Sequence, residues 1–236
     1  MNKYEIIKKI EKAAPPEISE AWDCSGFMTE TPNTEVSKIM LCLTPVQDVI
    51  CQAQEQNCDM IISHHPLFYV PCCWSCIDIY SAHTNLDKAQ GGTTDTLVKS
   101  VLSLMHAGFK KNIVSDDEFV RYIDLETSVN ICDFARVLKI ISPYLRYVNN
   151  RDVQTLKRIA FCAGSGSSFI QKAQENGADA FVTGDLKFHG AVDGQIVIFD
   201  IGHFESEILI LPVLKDIIGS GVEVVFAKEQ SPFKYV

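Results

Sequence analysis

The spacing of apolar and polar residues along this 236-residue chain predicts alternating helices and strands. Near the N-terminus, Ile6, Ile7 and Ile10 recur at helical spacing among lysines and glutamates, which predicts an amphipathic first helix. Short apolar runs at residues 38–43 and 59–63 have the length of buried strands. A chain that alternates such elements belongs to the α/β class, with a largely parallel sheet.

The same pattern assigns an element to most of the chain. Beyond the first helix, which Pro15 and Pro16 end, we predict strands at residues 38–43, 59–63, 77–82, 157–162, 179–183, 195–201 and 222–227. A second helix is predicted from Pro45 to about residue 56, with Thr44 as its cap, and a third from residue 93 or 94 to about residue 106. Another is predicted at residues 129–141, between two strands within 119–148. The last two are a helix that ends near Gly177 and one long helix that ends near Ile218.

One stretch of the pattern occurs twice. Ala53-Gln54-Glu55 returns as Ala173-Gln174-Glu175, a shift of 120 positions (173 − 53 = 120), and the same shift brings Asp59 onto Asp179. Because a strand–helix–strand order implies parallel pairing through a right-handed crossover, each copy predicts a small parallel sheet. We therefore predict two similar α/β lobes, residues 1–120 and 121–236, with mixed, largely parallel sheets facing a shared cleft.

Three predicted strands end in histidine with a carboxylate close by in sequence. His64 and His65 follow the strand at 59–63, His83 precedes Asp87, and His203 precedes Glu207. In open α/β sheets this edge is where ligands bind. In the last two segments the histidine and the carboxylate are four positions apart, so one helical turn would place them on the same face.

These side chains are of the type that binds transition metals. Imidazole nitrogen and carboxylate oxygen suit zinc, iron or manganese, and one carboxylate can bridge two ions. Two ions held in this way would keep open positions for water, which a divalent ion acidifies into a nucleophile. The alternative for each segment alone is a polar loop residue or a helix cap. Their repetition at three strand ends indicates a metal centre with His64, His65, Asp87, His203 and Glu207 as ligands.

Other polar residues near these segments have less defined roles. His83 is a candidate ligand, a candidate partner of a ligand or a candidate proton shuttle, and His189 is a candidate for the same outer role. Gly164, Ser165 and Gly166 join a strand to a helix, where backbone N–H groups favour an anion. They form either a phosphate-binding turn or a plain tight turn.

Composition and charge exclude several classes of protein. The formal net charge of −9 argues against general nucleic-acid binding, and no apolar run is long enough to span a bilayer. The N-terminal residues lack the apolar core of a signal peptide, so we expect a cytoplasmic protein with reduced cysteines. Cys72, Cys73 and Cys76 cluster in one loop, and the spacing of the last two suits chelation or redox chemistry. Since the loop holds no second such pair, an ordinary reduced loop is the preferred interpretation.

Taken together, these motifs resemble the GTP cyclohydrolase 1 type 2 family, also called the Ngg-one-interacting-factor-three-like family, in its short form. The resemblance covers nearly the whole chain in order. The residues that carry it are Trp22-Asp23 with Gly26, Ile61-Ile62-Ser63-His64-His65-Pro66-Leu67, Ala82-His83-Thr84-Asn85-Leu86-Asp87 with Gly91-Gly92, Gly164-Ser165-Gly166, Thr183-Gly184-Asp185-Leu186-Lys187-Phe188-His189 and Gly202-His203-Phe204-Glu205-Ser206-Glu207.

The resemblance implies a two-lobed α/β protein with two divalent metal ions in its cleft, assembled as a toroidal hexamer. It implies the same five metal ligands, with Asp87 or Glu207 bridging, and a catalytic or outer role for His83. The implied activity is hydrolysis by metal-activated water, on GTP or on another nucleotide or phosphoester. The alternative is a metal-binding scaffold without activity that acts through protein partners.

Overall fold

The computed structural model describes residues 1–105 and 119–234. The helices are α1 (Lys3–Ala13), α2 (Gln47–Glu55), α3 (Thr84–Lys88), α4 (Thr93–Met105), α5 (Ile131–Ile141), α6 (Ile170–Glu175), α7 (Phe188–Asp193), α8 (His203–Glu207) and α9 (Ile210–Ile218). The strands are β1 (Gly26–Thr29), β2 (Lys38–Cys42), β3 (Met60–Ser63), β4 (Asp78–Ser81), β5 (Arg121–Asn130), β6 (Arg146–Val148), β7 (Thr155–Ser165), β8 (Ala180–Gly184), β9 (Val197–Asp200) and β10 (Glu223–Phe226).

The chain folds into two compact units. The first unit contains Met1–Gly92 and Ile210–Gln230, and the second contains Thr93–Leu209 and Ser231–Val236. These bounds differ from the predicted division after residue 120. There are two reasons: α4 packs its apolar face into a core cluster of the second unit, and the chain returns to the first unit near its end, where β10 pairs in parallel with β2. The apolar pattern of β10 predicts a strand, but it carries no sign of which sheet the strand joins.

The sheet of the first unit has five strands in the order β1-β4-β3-β2-β10. The pairs β10–β2, β2–β3 and β3–β4 are parallel, and β1 runs antiparallel to β4 at one edge. Every residue of β3 and β4 is buried, which is typical of parallel strands covered on both faces.

The sheet of the second unit also has five strands, in the order β5-β7-β8-β9-β6. Its centre, β7-β8-β9, is parallel, and the two edge strands are antiparallel to their neighbours. Along β7 the side chains alternate between two apolar clusters, with Ile159 and Phe161 in one and Ala160 and Cys162 in the other. Since successive side chains of a strand point to opposite faces, both faces of this sheet are covered. The predicted class, α/β with mixed and largely parallel sheets, is confirmed.

Two predicted helices differ from the structure. The first begins at Gln47 rather than Pro45, with Val46 at the cap position, and Thr44 is not its cap. The second is the predicted long helix ending near Ile218, which is two helices, α8 and α9. Pro212 explains the interruption, because a proline lacks an N–H and its ring clashes with the carbonyl four residues earlier.

The sequence pattern also missed β1 and α7, which are only four and six residues long. Among the helices that the structure describes, none is long and apolar enough to cross a membrane.

Candidate metal centre

Two neighbouring strands of the first unit bring three histidines together. The parallel register of β3 and β4 places Ser63 opposite Ser81; His64 and His65 follow β3 directly, and His83 follows β4 after Ala82. One ring nitrogen from each of His64, His65 and His83 lies within 4.8 Å of the other two. His64 is fully buried, whereas His65 and His83 are partly buried. The strand ends thus create a compact imidazole cluster, and His83, whose role the sequence left open, is part of it.

The orientation of His64 suits a metal ligand. Its Nδ1 donates a hydrogen bond to the Ala82 carbonyl oxygen at 2.9 Å. Because a carbonyl oxygen only accepts, the proton of the neutral ring is on Nδ1, and Nε2 carries the lone pair that a metal ion requires. Nε2 lies 3.4 Å from Oδ1 of Asp87, which α3 carries. His64 and Asp87 therefore offer a nitrogen and an oxygen ligand side by side.

The second histidine of the pair is fixed by the loop after β2. Nδ1 of His65 is hydrogen-bonded to Oγ1 of Thr44 at 2.7 Å. That loop is in turn held by Glu229, whose carboxylate accepts hydrogen bonds from the backbone N–H groups of Leu43 at 2.7 Å and Thr44 at 3.0 Å. A hydrogen bond at Nδ1 that orients the ring for metal binding through Nε2 is the usual arrangement around metal-binding histidines.

His83 has a buried carboxylate as its partner. Its Nδ1 donates to Oδ1 of Asp23 at 2.8 Å, and its ring meets the ring of Trp22 edge-on with centroids 6.1 Å apart. Asp23 also accepts hydrogen bonds from the backbone and hydroxyl of Thr84 and from the hydroxyl of Ser25. Burial raises the pKa of Asp23, but the hydrogen bonds from Thr84, His83 and Ser25 outweigh it and bring the pKa below the usual range. Asp23 is therefore an ionised acceptor that orients His83.

The second unit holds a separate histidine–carboxylate group on α8. Nε2 of His203 lies 2.9 Å from Oε2 of Glu207, one helical turn away, and Nδ1 donates to Oδ2 of Asp185 at 2.7 Å. Asp185 has a positive φ of 52°, a conformation that costs energy for a residue with a side chain. Strain at a residue that orients a candidate ligand is typical of functional sites.

The electrostatics of this group favour a cation. Burial lowers the pKa of His203, but the hydrogen bonds and charges of Glu207 and Asp185 outweigh it and raise the pKa to about 9. Without a metal ion, the imidazole is thus held as a cation between two carboxylates. A divalent ion bound by Nε2 of His203 and by Glu207 would supply positive charge at the same place, so these donors fit a metal ion.

Gly164 belongs to this group for a steric reason. It has a φ of +65°, and a Cβ atom at this position would lie 2.1 Å from Oε1 of Glu207. A side chain would therefore displace the candidate ligand. The backbone N–H of Gly164 donates to Oγ of Ser206, and that of Gly166 donates to Oγ1 of Thr183, each at 2.9 Å. Since both donors already have acceptors in the protein, the phosphate-binding role of Gly164, Ser165 and Gly166 stays a prediction from sequence alone.

The predicted residues thus fall into two sets. His64, His65 and Asp87 belong to the first unit, and His203 and Glu207 to the second. Their assignment as ligands stays a prediction, which the donor geometry within each unit supports. His189 is exposed on α7, its ring contacts Phe188, and its outer role is likewise untested.

Sequence reasoning missed three residues that orient the histidines. Asp23 and Asp185 were named only among the residues that carry the family resemblance, with no role assigned, and Thr44 was predicted to be a helix cap. In each case a polar residue next to a strand end or a turn was the available signal.

The fold and these two sets of side chains define a class of protein: an α/β protein of two similar units whose strand ends carry histidine and carboxylate groups that could hold a metal ion. The chain belongs to the Duf34/NIF3 (NGG1p interacting factor 3) family, which it matches over residues 1–75 and 72–232. It is 31% identical to the GTP cyclohydrolase 1 type 2 homolog of Clostridium perfringens, with all of both chains covered. The homolog from Campylobacter jejuni is also 31% identical, again over the full length of both chains.

Solved structures share the fold. The Staphylococcus aureus hypothetical protein SA1388 superposes with a TM-score of 0.82 and 22% identity, covering 100% of this chain and 99% of that one. The protein ybgI gives a TM-score of 0.83 with 21% identity, covering 99% of this chain and 100% of the other. At these identities the likeness concerns the fold alone.

Proposed function

We propose that the chain binds two divalent metal ions, of zinc, iron or manganese, and hydrolyses GTP or another nucleotide or phosphoester. The proposed ligands are His64, His65, Asp87, His203 and Glu207. The observation that carries the proposal is an orientation that occurs in both units: His64 and His203 each donate from Nδ1 to a protein oxygen and direct Nε2 towards a carboxylate. The donor atoms and the orientation of the two rings together match those of metal-binding histidines.

The residues around these ligands have distinct tasks in such a reaction. Divalent ions held by imidazole and carboxylate supply Lewis-acid chemistry, which lowers the pKa of water and polarises a carbonyl or phosphoryl oxygen. Asp23 accepts the hydrogen bond from Nδ1 of His83, so Nε2 is the atom of this ring that would accept a proton and then pass it on. Trp22, with 60% of its surface exposed beside His83, offers an aromatic edge to a planar substrate.

The substrate class rests on the relatives. Those that are 31% identical over the full length are called GTP cyclohydrolase 1 type 2 homologs, and opening the purine ring of GTP requires a water nucleophile and proton delivery to nitrogen. Hydrolysis of a phosphoester would use the same metal ions and the same proton shuttle.

We extend the proposal to a homohexameric assembly, measurable by light scattering, and to a cytoplasmic location, which suits a chain whose nine cysteines are all thiols.

The experiment measures metal content and turnover on the same samples. Protein prepared with zinc, iron or manganese is analysed for bound metal and then incubated with GTP and a panel of phosphoesters. We expect two ions per chain and metal-dependent turnover, and His64→Ala should lose both. His83→Gln should keep the metal and lose turnover by about 100-fold or more, because general acid–base catalysis contributes about 10²–10⁴-fold.

Three results would count against parts of the proposal. A wild-type protein that binds metal but turns over no substrate would reject the hydrolase and support a metal-binding scaffold. An unchanged metal content in His64→Ala would reject the ligand assignment. Full activity in His83→Gln would remove His83 from the reaction.

A further inference from the structure

Three exposed thiols lie on one short turn of the first unit. Cys72, Cys73 and Cys76 are exposed, and the 3-10 helix Cys72–Trp74 follows Pro71. Hydrogen bonds of the i to i+3 type continue to the end of the turn, from the N–H of Ser75 to the carbonyl of Cys72 at 3.1 Å and from the N–H of Ile77 to that of Trp74 at 3.2 Å. The 3-10 helix ends at Trp74, and the chain continues through Ser75, in right-handed helical conformation, as a turn that includes Cys76.

Cys73 and Cys76 are the first and last residues of a four-residue turn whose two central residues, Trp74 and Ser75, have helical conformation. The Cα atoms at the two ends of such a turn lie within about 7 Å of each other. A disulfide needs Cα atoms within about 4.4–6.8 Å. Cys76 Sγ lies 3.6 Å from the carbonyl oxygen of Cys73, so it already faces its neighbour. Cys72, by contrast, shares its side of the turn with Ser75.

The turn is anchored to the body of the unit. Trp74 is only 6% exposed, and its Nε1 donates to Oε1 of Gln47 at 3.1 Å. Gln54, two turns further along the same helix α2, places its Nε2 3.9 Å from Cys76 Sγ. The side chain of Trp74, which lies between the two cysteines in sequence, is therefore fixed, while Cys73 and Cys76 on either side of it are exposed to solvent. This arrangement lowers the entropy lost when the two sulfurs come together.

A metal site explains these thiols less well than a disulfide does. A stable soft-metal site needs three or four ligands. In the part of the chain that the structure describes, the groups of three or more side chains within metal-binding range contain no cysteine. Two accessible thiols at the ends of one tight turn instead have the geometry of a dithiol that closes to one S–S bond.

We propose that Cys73 and Cys76 form a reversible redox site whose co-reactant is a small-molecule disulfide. The thiolate of one cysteine attacks a sulfur of that disulfide, which forms a mixed disulfide and releases one small thiol. The thiolate of the other cysteine then attacks the protein sulfur of the mixed disulfide, which forms the Cys73–Cys76 bond and releases the second small thiol. The protein loses two electrons and two protons, and the small disulfide gains both. An exposed disulfide in so small a loop is of the labile, regulatory type rather than the structural type.

The test equilibrates the intact protein in glutathione buffers at a fixed ratio of oxidised to reduced form and varies the total concentration. After acid quenching and alkylation, peptide mass spectrometry counts the protected thiols. An intramolecular disulfide releases two thiols, so tenfold dilution of the buffer should raise the ratio of oxidised to reduced protein about tenfold. A mixed disulfide releases only one, and its fraction would not change. A dilution-independent fraction, or no oxidised protein at all, would overturn the proposal.

Single variants identify the pair. Cys73→Ser and Cys76→Ser should each abolish the disulfide and leave a mixed disulfide on the remaining cysteine, whereas the matched control Cys72→Ser should keep the disulfide and its response to dilution. A disulfide that survives Cys73→Ser, or a peptide that links Cys76 to Cys51 on the neighbouring helix, would overturn the assignment. All of these positions are exposed, so the variants should fold, and circular dichroism checks this.

Discussion

Asp59 and Asp179 make the same pair of hydrogen bonds in the two units. Oδ2 of Asp59 accepts from the N–H groups of Ser37 and Lys38, at 2.7 and 3.0 Å. Oδ2 of Asp179 accepts from those of Lys157 and Arg158, at 2.7 and 2.9 Å. In each unit the carboxylate before one parallel strand thus holds two successive N–H groups of the chain beside it, at the start of β2 in the first unit and within β7 in the second. The two positions are those that the repeat in the sequence aligns.

We expect Asp59→Ala and Asp179→Ala each to lower the free energy of unfolding by about 1.5–3 kcal/mol, the range for hydrogen bonds to a charged group. Urea denaturation followed by circular dichroism measures the change. Glu55→Ala, at an exposed acidic residue of α2, is the control and should stay within about 0.5 kcal/mol. A loss at only one of the two aspartates would show that the two hydrogen-bond pairs are not energetically equivalent.

The repeat shows why so much of the fold could be predicted. Strands β2, β3, β7 and β8 are short apolar runs in a fixed order, and parallel pairing follows from the helix between them. The positions of the candidate ligands follow from the same order, because the histidines stand where buried strands end. These are local properties, which can be recognised in a single sequence without information on tertiary contacts.

The pattern of apolar and polar residues does not reveal that Lys3 is buried. Lys3 continues the buried face of α1, together with Ile6, Ile7 and Ile10, although lysine at this position predicts exposure. Its Nζ lies 3.2 Å from Oδ2 of Asp78 and donates to the carbonyl oxygen of Thr31 at 2.7 Å. Both charged side chains are almost completely buried. The sequence carries no sign of this pair, because its members are 75 positions apart.

We expect Lys3→Met to lower the free energy of unfolding by about 3–5 kcal/mol, because it leaves the Asp78 carboxylate buried without its cation. The double variant Lys3→Met/Asp78→Asn should recover part of this loss, since no buried charge remains. Urea denaturation of both variants completes a double-mutant cycle with Asp78→Asn. Lys8→Met, at an exposed position of the same helix, is the control. Strict additivity of the two substitutions would contradict a coupled buried pair.

The residues that orient the histidines could not be predicted from the sequence for the same reason. Thr44, Asp23 and Asp185 form hydrogen bonds with histidines that are 21, 60 and 18 positions away. Periodicity places a side chain on a strand end or a helix face, but it does not identify the loop residue that the fold brings against it. Only the tertiary structure assigns these partners.

Thr44 gives a direct test of such a partner. Thr44→Val keeps the shape of the side chain and removes the hydroxyl that is bonded to Nδ1 of His65. Because loss of an orienting hydrogen bond costs about 10–100-fold in metal affinity, we expect a decrease of that size, measured by competition with a chromogenic chelator. Thr44→Ser retains the hydroxyl and should bind metal as the wild type does. Equal affinities of the valine and serine variants would contradict the role.

We expect the contribution of Glu229 to the free energy of unfolding to decrease as pH rises, which is the opposite of the usual behaviour of a carboxylate. Burial raises the pKa of Glu229, and the hydrogen bonds from the N–H groups of Thr44 and Leu43 only partly offset this. Because the pKa is higher in the folded than in the unfolded chain, the folded chain binds the proton more tightly. The stability that the protonated side chain contributes is therefore present below the pKa of the unfolded chain and is lost as pH rises through the raised pKa.

The comparison with Glu229→Gln, which stays neutral, isolates this effect. The free energy of unfolding of the wild type minus that of Glu229→Gln should fall as pH rises from about 4 towards neutrality, across the range in which a glutamate with a raised pKa titrates. Urea denaturation at several pH values measures the difference, and Glu17→Gln, at an exposed glutamate, controls for the loss of one negative charge. If the difference instead rose with pH, the hydrogen bonds from Leu43 and Thr44 would outweigh burial, and Glu229 would stabilise the loop beside His65 chiefly as a carboxylate.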